Sequence, residues 1–122
     1  MTNKVANLIL AYLQTKHGRV YRNKAVSNPI FPYVVFHVDT VTDSYPTNDY
    51  YVHVQIYDAP NVPIKVIDNI ADAIDAVNHT VINDSVVNIH ITRINRQYVP
   101  NTELTDSQMI DIQYAIRAYR KD

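Results

Sequence analysis

The chain has 122 residues, 47% of them hydrophobic and 19% charged, which predicts one globular domain over residues 1–122 and excludes a disordered protein. The formal net charge of −1 excludes a general electrostatic attraction to nucleic acid or to an anionic membrane. The lack of cysteine excludes disulfides and thiolate metal sites, and the single glycine excludes glycine-rich phosphate-binding loops.

The amino-terminal segment predicts a helix over residues 3–17. Its apolar residues recur every three or four positions and form one stripe: Val5, Leu8, Ile9, Tyr12 and Leu13. Gly18 follows, and we expect it to be the left-handed residue that ends the helix. Residues 19–26 are ambiguous, because Val20 and Tyr21 could begin a short strand within a basic segment.

Two strands are predicted next, over residues 33–41 and 49–58. In both, apolar and polar residues alternate with a period of two, which is typical of a strand with one buried face. Residues 42–48 between them have the composition of a turn. We therefore predict an antiparallel hairpin whose loop, longer than the commonest hairpin loops, projects from the sheet.

The remaining chain predicts one helix and two strands. The helix is indicated by Ile67, Ile70, Ala71, Ile74 and Val77, with Asp68, Asp72 and Asp75 on its solvated face. Residues 78–84 are expected to be a connection, residues 85–98 a strand, and residues 100–106 a second projecting loop.

Residues 108–119 fit two structures. Thr105 and Gln108 resemble a capping box before a helix, whereas Ile110, Ile112 and Ile116 alternate with polar residues as in a strand. The β-branched residues favour the strand. The predicted fold is α+β, with a small, mainly antiparallel sheet, two helices packed on one face, the order α-β-β-α-β-β and two projecting loops.

The outward faces of the predicted strands carry a polar set that admits two interpretations. Its members are His37, Asp39, His53, Gln55, Asn88, His90, Asp111 and Gln113. Strand pairing should bring some of these histidines together, as a metal or general-base site requires. The alternative is a polar sheet face turned to solvent or to a partner.

No ligand pair has a recognised metal spacing, and no serine lies in a nucleophile elbow. We predict no enzyme, no cofactor and no catalytic, cofactor-binding or metal residues.

Three segments in this order carry a resemblance to a known family. They are FPYVVF at residues 31–36, YVHVQIYD at residues 51–58 and ADAI at residues 71–74. With the first helix before them and two late strands after, nearly the whole chain resembles the tail completion or tail terminator family of long-tailed bacteriophages.

The resemblance implies a virion protein of the tail or neck, assembled in the host cytoplasm. It would form a six-fold ring of its own copies that ends the tail tube and joins the tail to the head connector. Partners would be the tail tube protein and the connector or neck protein, with nucleic acid only passing through the ring. No segment approaches the roughly twenty apolar residues that span a bilayer, so no membrane partner is expected. Alternatives are a head-side neck protein, or a small α+β module that binds a ligand or nucleic acid.

The length and polarity of the two predicted loops make them candidate contact regions. We expect these loops to touch neighbouring subunits or the tail tube. The predicted interaction residues are Asp43, Tyr45, Asn48, Asp49, Asn101, Glu103 and Asp106.

Overall fold

A computed structural model describes residues 1–44, 47–102 and 107–121, with only the backbone at positions 43, 44, 101 and 102. Its elements are α1 (Thr2–Gln14), β1 (Val20–Arg22), β2 (Tyr33–Ser44), β3 (Thr47–Asp58), α2 (Lys65–Asp75), β4 (Thr80–Asn83), β5 (Val87–Thr102) and β6 (Ser107–Arg120). Within the described ranges, neither helix combines the length and the apolar character needed to cross a membrane.

The strands form one six-stranded mixed sheet in the order β1-β2-β3-β6-β5-β4. β1 runs parallel to β2, whereas β2–β3, β3–β6, β5–β6 and β4–β5 are antiparallel. The predicted α+β class is confirmed, but the predicted element order was incomplete because it lacked β1 and β4. Residues 78–84 were wrongly expected to be only a connection. Both missed strands are edge strands of three and four residues, too short to display a period of two.

The predicted hairpin of β2 and β3 is confirmed, but its projecting loop is not. Cross-strand pairing continues past a bulge between Thr40 and Thr42 to the pair Ser44 and Thr47, so most of residues 42–48 lies in strands. Likewise, residues 100–102 belong to β5, and Thr102 pairs with Ser107. Backbone hydrogen bonding in the ladder outweighs the turn-like composition of these segments. Residues 45–46 and 103–106 lie outside the described residues.

The carboxy-terminal segment is the strand β6, as the alternation of β-branched residues predicted. Gln108 forms no capping box. Its side chain is buried, and Nε2 donates to the carbonyl oxygens of Ala59 and Val62, each at 2.8 Å. The Tyr98 hydroxyl donates to Gln108 Oε1 at 3.0 Å. Gln108 thereby ties the segment between β3 and α2 to β6.

Both helices pack on one face of the sheet, as predicted. The core joins buried residues of α1 and α2 to the even-numbered residues of β3, from Tyr50 to Ile56. Gly18 does not have the expected left-handed backbone. α1 ends at Gln14, and the residue that caps it, Thr15, has a right-handed conformation. Among the described residues, the left-handed positions are instead Asn23, Asn28 and His79.

Candidate interaction surface

The sheet face opposite the helices, which we call the open face, is covered by neither α1 nor α2. Buried and more exposed positions alternate along β3 and β6, which places their odd-numbered residues on the open face. Cross-strand pairing extends this face onto β2 and β5. Its central residues are His37, Asp39, Asp49, Tyr51, His53, His90, Thr92, Gln113, Arg117 and Tyr119.

A shallow depression of about 410 Å³ lies at one end of the open face. Tyr51 and Tyr119, which line it, are 40% and 38% exposed. The ring of His90, another lining residue, meets the Tyr119 ring edge-on at 4.9 Å between centroids. Tyrosine presents rigid apolar area with a polar tip, and it is enriched in protein interfaces. The depression is therefore suited to contact with another protein.

Asp49, one of the predicted interaction residues, lies in the wall of this depression. Arg117 Nε donates to Asp49 Oδ1 at 2.8 Å, and the Thr42 hydroxyl donates to Oδ2 at 3.1 Å. The hydrogen bond from Arg117 holds the pKa of the Asp49 carboxyl below its ordinary value. The depression thus presents an ionised, hydrogen-bonded pair beside its tyrosines.

Asn48, also in the predicted set, lies on the covered side of β3 and is fully buried. Its side-chain oxygen accepts a hydrogen bond from Arg120 Nε at 3.1 Å, so Asn48 stabilises the end of the sheet from within. The side chains of two further predicted residues, Asp43 on β2 and Asn101 on β5, lie outside the described part of the structure. The last three, Tyr45, Glu103 and Asp106, lie outside the described residues altogether.

An aromatic cluster lies at the opposite end of the open face. Tyr33 stacks on both Phe31 and Tyr57, with ring centroids 5.5 Å and 5.1 Å away, and meets the Tyr21 ring edge-on at 6.2 Å. Burial, followed by the neighbouring Tyr21, raises the pKa of Tyr33. These tyrosines pack against one another, in contrast to the exposed tyrosines of the depression.

His37 and His53 lie between the two ends and are directly opposite each other in the pairing of β2 with β3. Their rings stack with 4.7 Å between centroids and 11° between planes. Asp39 Oδ2 lies 3.8 Å from His37 Nε2 and 3.7 Å from His53 Nε2. The expected convergence of histidines is confirmed for this pair. Of the described residues, these three form the group that could hold a metal ion.

A network that was not predicted joins α2 to β5 on the helix side of the sheet. Arg96 pairs with Asp68 at 2.6 Å and with Asp72 at 2.8 Å, and Arg93 pairs with Asp75 at 2.5 Å. The side chains of Asp68 and Asp72 are 52% and 65% exposed, as predicted for the solvated face of α2, although both are paired. The side chain of Asp75 is only 16% exposed, so its predicted place on the solvated face is wrong.

A β-bulge between Arg93 and Asn95 makes this network possible. Residues three apart on a regular strand point to opposite faces, but the extra residue of a bulge places them on the same face. Arg93 and Arg96 consequently both face α2. The sequence did contain a signal for this network, namely two arginines three positions apart and three aspartates on one helix. The arginine spacing fits a shared face only when the bulge is included.

Asp75 also connects this network to the core. The Tyr114 hydroxyl donates to Asp75 Oδ1 at 3.0 Å, and the Tyr12 hydroxyl donates to the Ile74 carbonyl oxygen at 2.9 Å. Burial, followed by the charge of Asp75, raises the pKa of Tyr114 far above its ordinary value.

A second concave surface lies beside the network and is distinct from the open face. It is a groove of about 480 Å³ between the start of α2 and the bulged part of β5. Its exposed apolar residues are Ile64, Ile94 and Tyr98, flanked by Arg93 and Arg96. The chain therefore carries two different surfaces with mixed apolar and charged character.

Comparison with known proteins gives similarity of fold alone. No protein-family model matches the sequence, and no curated protein matches it. A protein chain in the virion of a native gene transfer agent (GTA) particle superposes with a TM-score of 0.61 at 13% identity, covering 91% of this chain and 91% of that chain. A second solved chain, whose name states no activity, superposes with a TM-score of 0.65 at 12% identity, covering 93% of this chain and 94% of that chain.

Proposed function

We propose that this protein is a structural assembly protein of a tailed bacteriophage or a phage-like particle. The observation that carries the proposal is the fold shared, over 91% of both chains, with a protein of a gene transfer agent virion. That likeness is independent of the sequence resemblance to the tail terminator family, and both lead to the same class of particle. The proposed location is the tail or neck of the virion, with assembly in the host cytoplasm.

The specific role we propose is a six-fold ring that ends the tail tube and joins the tail to the head connector. Its partners are other copies of this chain, the tail tube protein and the connector protein, and nucleic acid passes only through the lumen. Such a role consists of binding other proteins in a fixed arrangement, so it requires neither catalysis nor a cofactor. A closed ring needs a heterologous interface, in which one surface meets a different surface of the neighbour. The open face and the groove beside α2 supply two unlike surfaces.

The depression on the open face is the proposed contact with the neighbouring subunit. Tyr51 and Tyr119 offer aromatic area, and the Asp49–Arg117 pair offers directional charge at its wall. Aromatic and arginine side chains contribute most of the binding energy at many interfaces. The contact is thus expected on the sheet rather than only at the hairpin ends.

The first experiment is negative-stain electron microscopy with native mass measurement of the purified full chain, across a concentration series. A parallel sample contains polymerised tail tube protein from the same genome. We expect closed rings of six subunits, either free or at the ends of tubes of limited length. A chain that forms no ring in either sample and leaves tube growth unlimited contradicts the proposal.

A paired set of variants tests the contact surface. Tyr51→Ser combined with Tyr119→Ser removes the aromatic area of the depression, and Val26→Ser is the matched control at a position 56% exposed elsewhere. We expect both proteins to remain folded by circular dichroism and only the double variant to lose the ring. Intact rings in the double variant would place the contact on another surface while leaving the ring itself in force.

A further inference from the structure

The geometry points to a zinc-class transition-metal site on the open face, formed by His37, Asp39 and His53. This site is separate from the proposed assembly role, and neither depends on the other. His37 and Asp39 are two residues apart on β2 and therefore share a face, and His53 lies opposite His37 on β3. The sheet itself brings the three side chains together.

The distances match an ion between the ligand atoms better than direct hydrogen bonds. Asp39 Oδ2 is 3.8 Å from one Nε2 and 3.7 Å from the other, beyond ordinary hydrogen-bond length. Bonds of about 2.0–2.1 Å to a tetrahedral zinc ion put ligand atoms roughly 3.3–3.4 Å apart. The three ligand atoms already lie within 4.8 Å of one another. The His37 and His53 rings are stacked with 11° between their planes, so metal binding requires them to rotate until one nitrogen of each ring points at the same ion.

The surroundings are compatible with a cation that keeps an open position. In the described ranges, the groups paired with Asp39 within 4.0 Å are His37 and His53. Their side chains are 36% and 25% exposed, so water can reach the ion and occupy a fourth position. Gln113, the residue opposite His53 on β6, is uncharged and adds no electrostatic repulsion.

The donor set selects the class of ion. Two imidazole nitrogens and one carboxylate oxygen suit zinc and its transition-metal neighbours, whereas calcium and magnesium prefer oxygen ligands. We therefore expect one Zn²⁺ per chain and no comparable binding of Mg²⁺ or Ca²⁺.

The test is calorimetric titration of the untagged full chain with Zn²⁺, with Mg²⁺ and Ca²⁺ as ion controls. The ligand variants are His53→Gln and Asp39→Asn, and His90→Gln is the matched control because His90 is on the same face but outside the group. Histidine ring signals followed by NMR during the titration identify the residues that bind. Asp39→Asn alters a side chain that is 58% exposed, so it keeps the test valid if His53→Gln fails to fold.

We expect one zinc site, with selective shifts of the His37 and His53 signals. Loss of an outer-shell partner of a metal site typically lowers affinity about 10- to 100-fold, so removal of a direct ligand should lower it at least about tenfold. His90→Gln should bind zinc like the natural chain. The proposal is overturned if the natural chain shows no zinc binding, if the ligand variants bind equally well, or if His90→Gln weakens binding to the same extent.

Discussion

The two faces of the sheet use alternate residues of the same strands for different purposes. On the covered face, Val52 and Val54 of β3 are buried beneath α1 and α2 together with Ile112 of β6. On the open face, the intervening positions of β3 carry Tyr51 and His53, which remain accessible to solvent or to a partner. Along the central strands β3 and β6, the buried apolar side chains therefore lie mainly on one face, and the accessible polar and aromatic side chains on the other. Neighbouring residues in the sequence should respond very differently to mutation.

The sharpest contrast is expected between Ile112 and Gln113, adjacent residues of β6. Ile112 is fully buried, and Ile112→Ala should lower the free energy of unfolding by about 2–5 kcal/mol because it leaves a cavity. Gln113→Ala on the open face should change it by no more than about 0.5 kcal/mol. Urea denaturation of both variants measures the difference. Similar losses in the two proteins would mean that the open face is also part of the folding core.

An intermediate effect on the free energy of unfolding is expected at Tyr114. Its ring lies in the core, and its hydroxyl donates to Asp75 of α2. Its pKa is raised, so the folded chain holds the phenol proton more tightly than the unfolded chain. The resulting stability is present below about pH 10, where the unfolded tyrosine begins to ionise, and is lost as the pH rises further. Tyr114→Phe should therefore make the alkaline fall in unfolding free energy shallower, by up to about 1.4 kcal/mol per pH unit.

The measurement for Tyr114 is a series of urea denaturations from neutral pH to about pH 11, above the ordinary tyrosine pKa. Tyr51→Phe on the open face is the control for removing a hydroxyl from an exposed tyrosine. An unchanged alkaline slope in Tyr114→Phe would show that the buried hydroxyl does not link folding to pH.

The smallest effect on stability is expected at Asp49 on the open face. Its ion pair with Arg117 is exposed to solvent, and such pairs contribute little because water and salt screen them. Since the pKa of Asp49 is lowered, the contribution is present above its ordinary value and fades as the pH falls through the folded value. Asp49→Asn should shift the thermal midpoint less than Ile112→Ala does, and less at high salt than at low salt. A large, salt-independent shift would contradict this division between the faces.

The elements that are long and periodic were predictable from the sequence. The alternation in β3 and β6 specifies both strand type and buried face, and the hairpin brings His37 opposite His53. The edge strands β1 and β4 are too short to show a periodic pattern, so the sequence left residues 19–26 ambiguous and indicated only a connection over residues 78–84. The burial of Asn48 depends on Arg120, a hydrogen-bond partner 72 positions away in the chain. Local composition indicated a turn there, whereas tertiary contacts determine the outcome.

The bulge between Arg93 and Asn95 determines which side chains of the rest of β5 lie on each face of the sheet. A regular strand that kept Ile94 but lacked the bulge would count Ile94 in the alternation, and the residues that follow it would shift by one position to the opposite face. Arg96 and Tyr98 would turn toward the open face, and Asn95 and Gln97 toward α2. Asp68 and Asp72 would lose their common cation, and Gln108 would lose the Tyr98 hydroxyl. The extra residue of the bulge therefore determines which side chains in the second half of β5 face α2.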